Sequence, residues 1–128
     1  MNVEAFVHYK LGHVELDQQH WKWFSILHLI LLSVDMKDYN EIENQMNCLR
    51  RATKHSFNYE EGIIIRYCFP FMGSHKTDHR VLWQKIIRFV ELEPETLLQY
   101  TVEIMMLQLR DHIDKYDFQM IPYLKGIT

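Results

Sequence analysis

The stretch "ELDQQHWKWFSILHLILLSV", Glu15 to Val34, decides how the chain folds. Leu16, His20, Trp23, Phe24, Leu27, Ile30, Leu31 and Val34 recur at intervals of three, four and seven. That spacing gathers them into one stripe of an α-helix. Asp17, near the start of the stripe, is expected to cap the helix. The apolar run from Ile26 to Val34 is broken by His28 and Ser33 and is far too short to span a bilayer.

Three more segments follow the same rule. After the polar break "DMKDYN" (35–40), a helix is expected over 39–66, with Ile42, Met46, Leu49 and Thr53 on one face. Pro70 and Gly73 mark a corner. A third helix over 74–91 carries Leu82, Ile86, Phe89 and Val90. In "ELEPET" (91–96), Pro94 suits the first turn of a fourth helix and Glu93 and Glu95 its positive end. That helix runs through Leu97, Val102, Met105, Leu109 and Ile113 to about residue 115. Residues 1–14, with Gly12, read as an arm, and 117–128 as a short tail. Four long helices with short connections predict an all-α protein, an up-down-up-down antiparallel four-helix bundle forming one domain over 1–128.

Composition narrows the function classes. Apolar residues make up 48% of 128, and Gly and Pro together number seven, which excludes a disordered chain. A formal net charge of −3 offers no basic field for nucleic acid. Arg50, Arg51 and Lys54 read as a solvated helix face. The first residues show neither a basic segment nor an apolar run of the secretory kind, so a cytoplasmic location is expected. Cys48 and Cys68, both on expected helices, read as buried or half-buried thiols and not as a disulfide.

The remaining signal lies in histidines and carboxylates. "HKTDH" (75–79) sets two imidazoles four apart, nearly above one another on a helix. His20 lies near the start of the first helix, Glu60 near the end of the second, His75 and His79 near the start of the third, and His112 near the end of the fourth. With alternating helix directions, all converge on one end of the bundle. Neutral imidazoles suit first-row metals, and carboxylates can bridge two ions and offset their repulsion. Asp117 lies five residues after His112, about 140° around an ideal helix. Parallel ligation of one ion by that pair is therefore not expected; a terminal histidine with an aspartate reaching across to a shared bridge is easier to build, especially where the helix frays.

The order of these motifs resembles the hemerythrin family of non-haem di-iron four-helix bundles. "LDQQHWKWF" (16–24), "SFNYEE" (56–61), "YCFPFMGSHKTDH" (67–79) and "HIDKYD" (112–117) match its four motifs in sequence. The resemblance runs from residue 12 to about 120. It implies two iron ions with an oxo or hydroxo bridge. Glu60 and Asp117 would bridge, His75, His79 and His112 would hold one iron, and His20 the other. It further implies dioxygen or a related small ligand as partner, with Leu109 over the oxygen pocket. One position departs from the family, which has a histidine four residues before the bridging glutamate where this chain has Ser56. His55 recruited by a local π-bulge, Ser56 itself, water or an anion could fill that place.

Trp23, Phe24, Phe57, Tyr67 and Phe71 are expected to form an apolar collar round the site. Glu61, Asp78 and Asp111 are expected to face solvent, and His8, His13 and His28 to be surface or packing residues. Three functions fit this reading. The first is reversible oxygen binding for carriage, storage or sensing, a sensor needing a separate signalling or redox partner. The second is a di-iron enzyme reducing dioxygen or peroxide. The third is a bundle that no longer binds metal.

Overall fold

The computed structural model describes residues 11–124. Most of the expected arm, His8 included, and the last four residues of the tail lie outside the described residues. Helix α1 spans Val14–Met36 and α2 Tyr39–Arg66. Helix α3 spans Met72–Val90, and α4 runs over Gln99–His112 into a π turn, Ile113–Asp117. A 3₁₀ turn (Phe118–Met120) and one helical turn, Ile121–Leu124, follow. Each long helix packs against its neighbours in sequence, and α4 closes back on α1, which makes the up-down-up-down bundle. No helix among the described residues is long and apolar enough to cross a membrane.

The helix ends follow local chemistry. His13, not Asp17, caps α1, its Nδ1 accepting from the Leu16 N–H at 3.3 Å. Asp17 lies inside the first turn and accepts from the Leu11 and Gly12 N–H groups at 2.6 and 3.0 Å, which turns the preceding chain back onto the helix. Gly12 sits at φ 95°, a conformation that costs a glycine little. Asp38 caps α2 through the Glu41 N–H. Beyond α2, Cys68 adopts φ 52° in the turn, exposed and off any helix, contrary to the expected buried thiol. Cys48 is half-buried, and both thiols are free. Pro94 opens a separate 3₁₀ turn, Pro94–Thr96, so α4 begins later than its proline suggests.

Two apolar clusters are stacked along the bundle. The larger includes Trp23, Phe24, Leu27, Ile42, Leu49, Ile86, Val102 and Leu109. The smaller joins Leu16, Ile63, Ile64 and Phe69 to Met120 and Leu124 from the tail. Along α1 the smaller cluster's Leu16 precedes His20 and the larger cluster's Trp23 follows it; along α2, Phe57 precedes Glu60 and Ile63 follows it. The ligand candidates therefore lie between two dry layers, and the tail covers the outer one.

Candidate metal centre

The stripe that buries each helix also aims its polar candidate inward. His20, Glu60 and Asp117 are fully buried, and His75, His79 and His112 are 2% exposed. One ligand atom from each of Glu60, His75, His79, His112 and Asp117 lies within 4.8 Å of all the others. Glu60 Oε1 is 3.1 Å from His75 Nε2, 3.3 Å from His79 Nε2 and 3.9 Å from His112 Nε2. Asp117 Oδ1 is 2.9 Å from His75 Nε2 and 3.1 Å from His112 Nε2, while its Oδ2 is 3.0 Å from His20 Nε2. All six sequence candidates thus meet, with His20 joined through Asp117.

The π turn explains how His112 and Asp117 can meet. Its i→i+5 bonds widen the helix by one residue per turn, so positions five apart fall nearly in line. The 140° separation holds only for an α-helix. Both side chains therefore reach the same point, His112 Nε2 lying 3.1 Å from Asp117 Oδ1, an arrangement open to a terminal histidine beside an aspartate that reaches across.

The orientation of these groups suits a cation. His79 Nδ1 lies 3.0 Å from Glu61 Oε2, and His112 Nδ1 2.6 Å from Asp78 Oδ2. A carboxylate accepts, so each Nδ1 carries the proton and donates it, leaving an Nε2 lone pair directed at the cluster. Those two Nε2 atoms, both nitrogens of His20 and both oxygens of Asp117 are buried with no well-aligned hydrogen bond, despite close approaches near 3 Å. Lone pairs converging without hydrogens between them are what a metal ion satisfies, and these imidazoles and carboxylates fit the N/O chemistry of first-row metals.

Without a metal, protons supply the positive charge. Burial and the neighbouring Asp117 push the Glu60 carboxyl up, but the facing imidazoles of His112, His75 and His79 outweigh them and hold it at about 2. Burial pushes the His75 imidazole down, and its bonds to Asp117 and Glu60 outweigh that and raise it to about 9. Asp117 is likewise held well below the usual carboxylate range and His112 well above the usual imidazole range, each against the penalty of burial. A cation binding here displaces those protons.

The family model for the hemerythrin HHE cation-binding domain matches residues 11–124. The chain belongs to the hemerythrin family. Neither curated proteins nor solved structures give a match. The family's cation-binding character agrees with the buried His, Glu and Asp cluster of this hemerythrin domain.

Of the five aromatics expected in a collar, two contact cluster histidines and a third is buried in the larger apolar cluster. Trp23 stacks on His20 at 5.3 Å, Phe57 stacks on His79 at 4.0 Å, and Phe24 is fully buried. Leu109, three residues before His112, is fully buried too. Tyr67 and Phe71 are 44% and 48% exposed, because they lie in the turn that leaves α2. Tyr116 takes up that role instead, its ring 5.6 Å from His112 and 5.9 Å from His75.

Glu61 and Asp78 do not face solvent as expected; they hold His79 and His112. The sequence carried a signal for Asp78: three residues after His75, it returns to nearly the same helix face. Asp111 is exposed, His28 half-buried, and His13 buried as the cap of α1. His55 is exposed in a groove with Lys22 and Arg51, and α2 passes through 55–60 as regular α-helix. No bulge turns it inward. Ser56 faces the cluster, fully buried, its hydroxyl donating to Glu60 Oε2 at 3.1 Å.

Proposed function

We propose that this protein is a non-haem di-iron protein that binds dioxygen reversibly, with His20, Glu60, His75, His79, His112 and Asp117 as metal ligands. The convergence of unpaired imidazole and carboxylate lone pairs between two apolar layers carries this reading. Iron held there would supply reversible electron transfer to dioxygen. The residues do the rest. Glu60 and Asp117 offer anionic oxygens to two positions at once, and Trp23, Phe24, Phe57 and Leu109 exclude water from the centre. The opening beside His75 has a cavity volume of only about 10 Å³, room for one water-sized guest, whereas the groove beside His79, lined by Phe57, Glu61 and Trp83, holds about 280 Å³. In this reading residues 1–128 form one cytoplasmic domain, and a sensing role passes through a separate signalling or redox partner.

Purified protein is expected to hold two irons. On cycling between reduction and air it should show a visible spectrum that appears with oxygen and disappears when oxygen is removed. Iron-free protein that takes up none on reconstitution would sink the proposal. Steady consumption of dioxygen or peroxide with no reversible spectrum would favour the second reading, a di-iron redox enzyme.

Ser56 is what favours that second reading. Among the described residues, three imidazoles surround Glu60 Oε1, whereas Oε2 meets only a hydroxyl, and His20 is the lone imidazole on the far side of Asp117. A metal on that side keeps an exchangeable position. Ser56→His sets an imidazole one turn before Glu60 on the same face. The variant should hold its second iron more tightly and keep its oxygenated spectrum longer. Overpacking is expected to cost about 1–3 kcal/mol of stability. Unchanged iron stoichiometry and spectral lifetime in a folded variant would show that Ser56 does not border a metal position.

A further inference from the structure

The two ends of the centre differ beyond their ligand count. On one side, His79 donates through Nδ1 to Glu61 from α2, and His112 to Asp78 from α3. These carboxylates are 29% and 26% exposed, so water only partly screens them. On the other side, the fully buried His20 has no hydrogen-bond partner at Nδ1 among the described residues. Its ring rests on Trp23, which offers a π face and no charge. A carboxylate on the distal nitrogen fixes an imidazole's tautomer and rotation and makes its other nitrogen a stronger donor.

We propose that Glu61 and Asp78 are positioning residues that make the centre load in order: the position bounded by His75, His79 and His112 takes a divalent cation first and holds it more tightly than the position beside His20. The inference rests on reading the cluster as a metal centre and adds an order of filling to it. Glu61 and Asp78 touch no metal; they act through the rings they hold. Each bond also crosses between helices, α2 to α3 and α3 to α4, so ligand direction is set by the packed bundle. His20 is oriented by its stacking on Trp23 and the approach of its Nε2 to Asp117, with no carboxylate on its distal nitrogen among the described residues.

Cobalt(II), whose visible bands report each binding step, tests this on the full chain. Wild type should bind two equivalents in two resolved steps, and His20→Ala should keep the first and lose the second. Asp78→Asn and Glu61→Gln should weaken the first step about 10- to 100-fold and leave the second unchanged. Both amides keep an acceptor for the Nδ1–H, so loss of the first step reports the charge on the imidazole and not a missing contact. Asp111→Asn, which removes an exposed charge beside His112, should match wild type. Loading of both positions in a single step by wild type overturns the inference. So do Asp78→Asn and Glu61→Gln proteins that bind as wild type does, or that lose both steps together, as a merely structural role would require. No cobalt uptake by wild type at all would overturn the metal-centre reading as well.

Discussion

Stripping the metal from this protein is expected to lower its melting temperature by about 12–20 °C. A cation that binds only the folded chain stabilises it by about 4 kcal/mol when present at a thousandfold its dissociation constant. For a chain of this size each kcal/mol moves the transition by roughly 3–5 °C. The metal-free fold should nevertheless survive, because His75 and His112 take up protons that offset Glu60 and Asp117. That compensation depends on pH. The imidazole of His75 is raised to about 9 in the fold, so its contribution is complete below the unfolded value near 6.5 and is lost as pH rises through 9. The carboxylates are depressed and contribute above about 4.5, fading only as pH falls toward 2. The metal-free protein should therefore be most stable between about pH 4.5 and 6.5, and its deficit against the loaded protein should widen from pH 6.5 to 9. Calorimetry with and without chelator at pH 6 and pH 8.5 measures both effects. Equal melting temperatures with and without metal would mean that the cluster takes no cation into the fold.

The helices were legible because burial repeats with the helical period. Helix α2 occupies the span expected for it, bounded by the Asp38 cap and the turn before Pro70. The convergence of six ligand candidates followed from alternating direction alone. What escaped was geometry that periodicity does not encode. The π turn at Ile113–Asp117 changes the period for only five residues, too few to leave a pattern. Capping by His13 in place of Asp17 depends on which side chain folds back, and either residue type can accept the bond. Glu61 looks like a surface charge on a helical wheel, and Asp78 shares a face with His75 without showing that it meets His112. Only the approach of the neighbouring helix shows that their carboxylates reach an imidazole across it.

His55 and Ser56 illustrate how one helical step decides chemistry. Adjacent residues differ by about 100° around a helix, so an unbroken α2 cannot present both to the cluster. Histidine is the stronger ligand, yet it stands outside beside Lys22 and Arg51, and the serine stands within. Pulling His55 inward would need a local break in backbone hydrogen bonding and would turn Ser56 out of its bond to Glu60. A regular helix keeps both from happening.

Glu60→Gln is expected to have the largest effect of any single substitution on metal binding. Among the described residues, Glu60 is the one whose carboxylate faces all three of His75, His79 and His112, and its second oxygen faces Ser56. Glutamine has nearly the same volume and helix propensity, so α2 and its packing should persist. Its amide oxygen can meet the imidazoles while its NH₂ donates to the Ser56 hydroxyl, which keeps every buried group paired. What disappears is the charge. In the proposed two-cation centre, divalent ions repel each other four times as strongly as unit charges at the same separation, and anions between them offset that. The variant should lose the second cation entirely and bind the first at least about 100-fold more weakly, some 2.8 kcal/mol. The chelated variant gives the control. With Glu60 neutral, His75 and His112 lose one of the groups that raise them and keep the larger one, Asp117, so the metal-free protein should stay within about 2 kcal/mol of wild type in stability. Loss of metal together with collapse of the chelated fold would make Glu60 a structural residue first. Wild-type stoichiometry and affinity in a folded Glu60→Gln protein would remove it from the centre altogether.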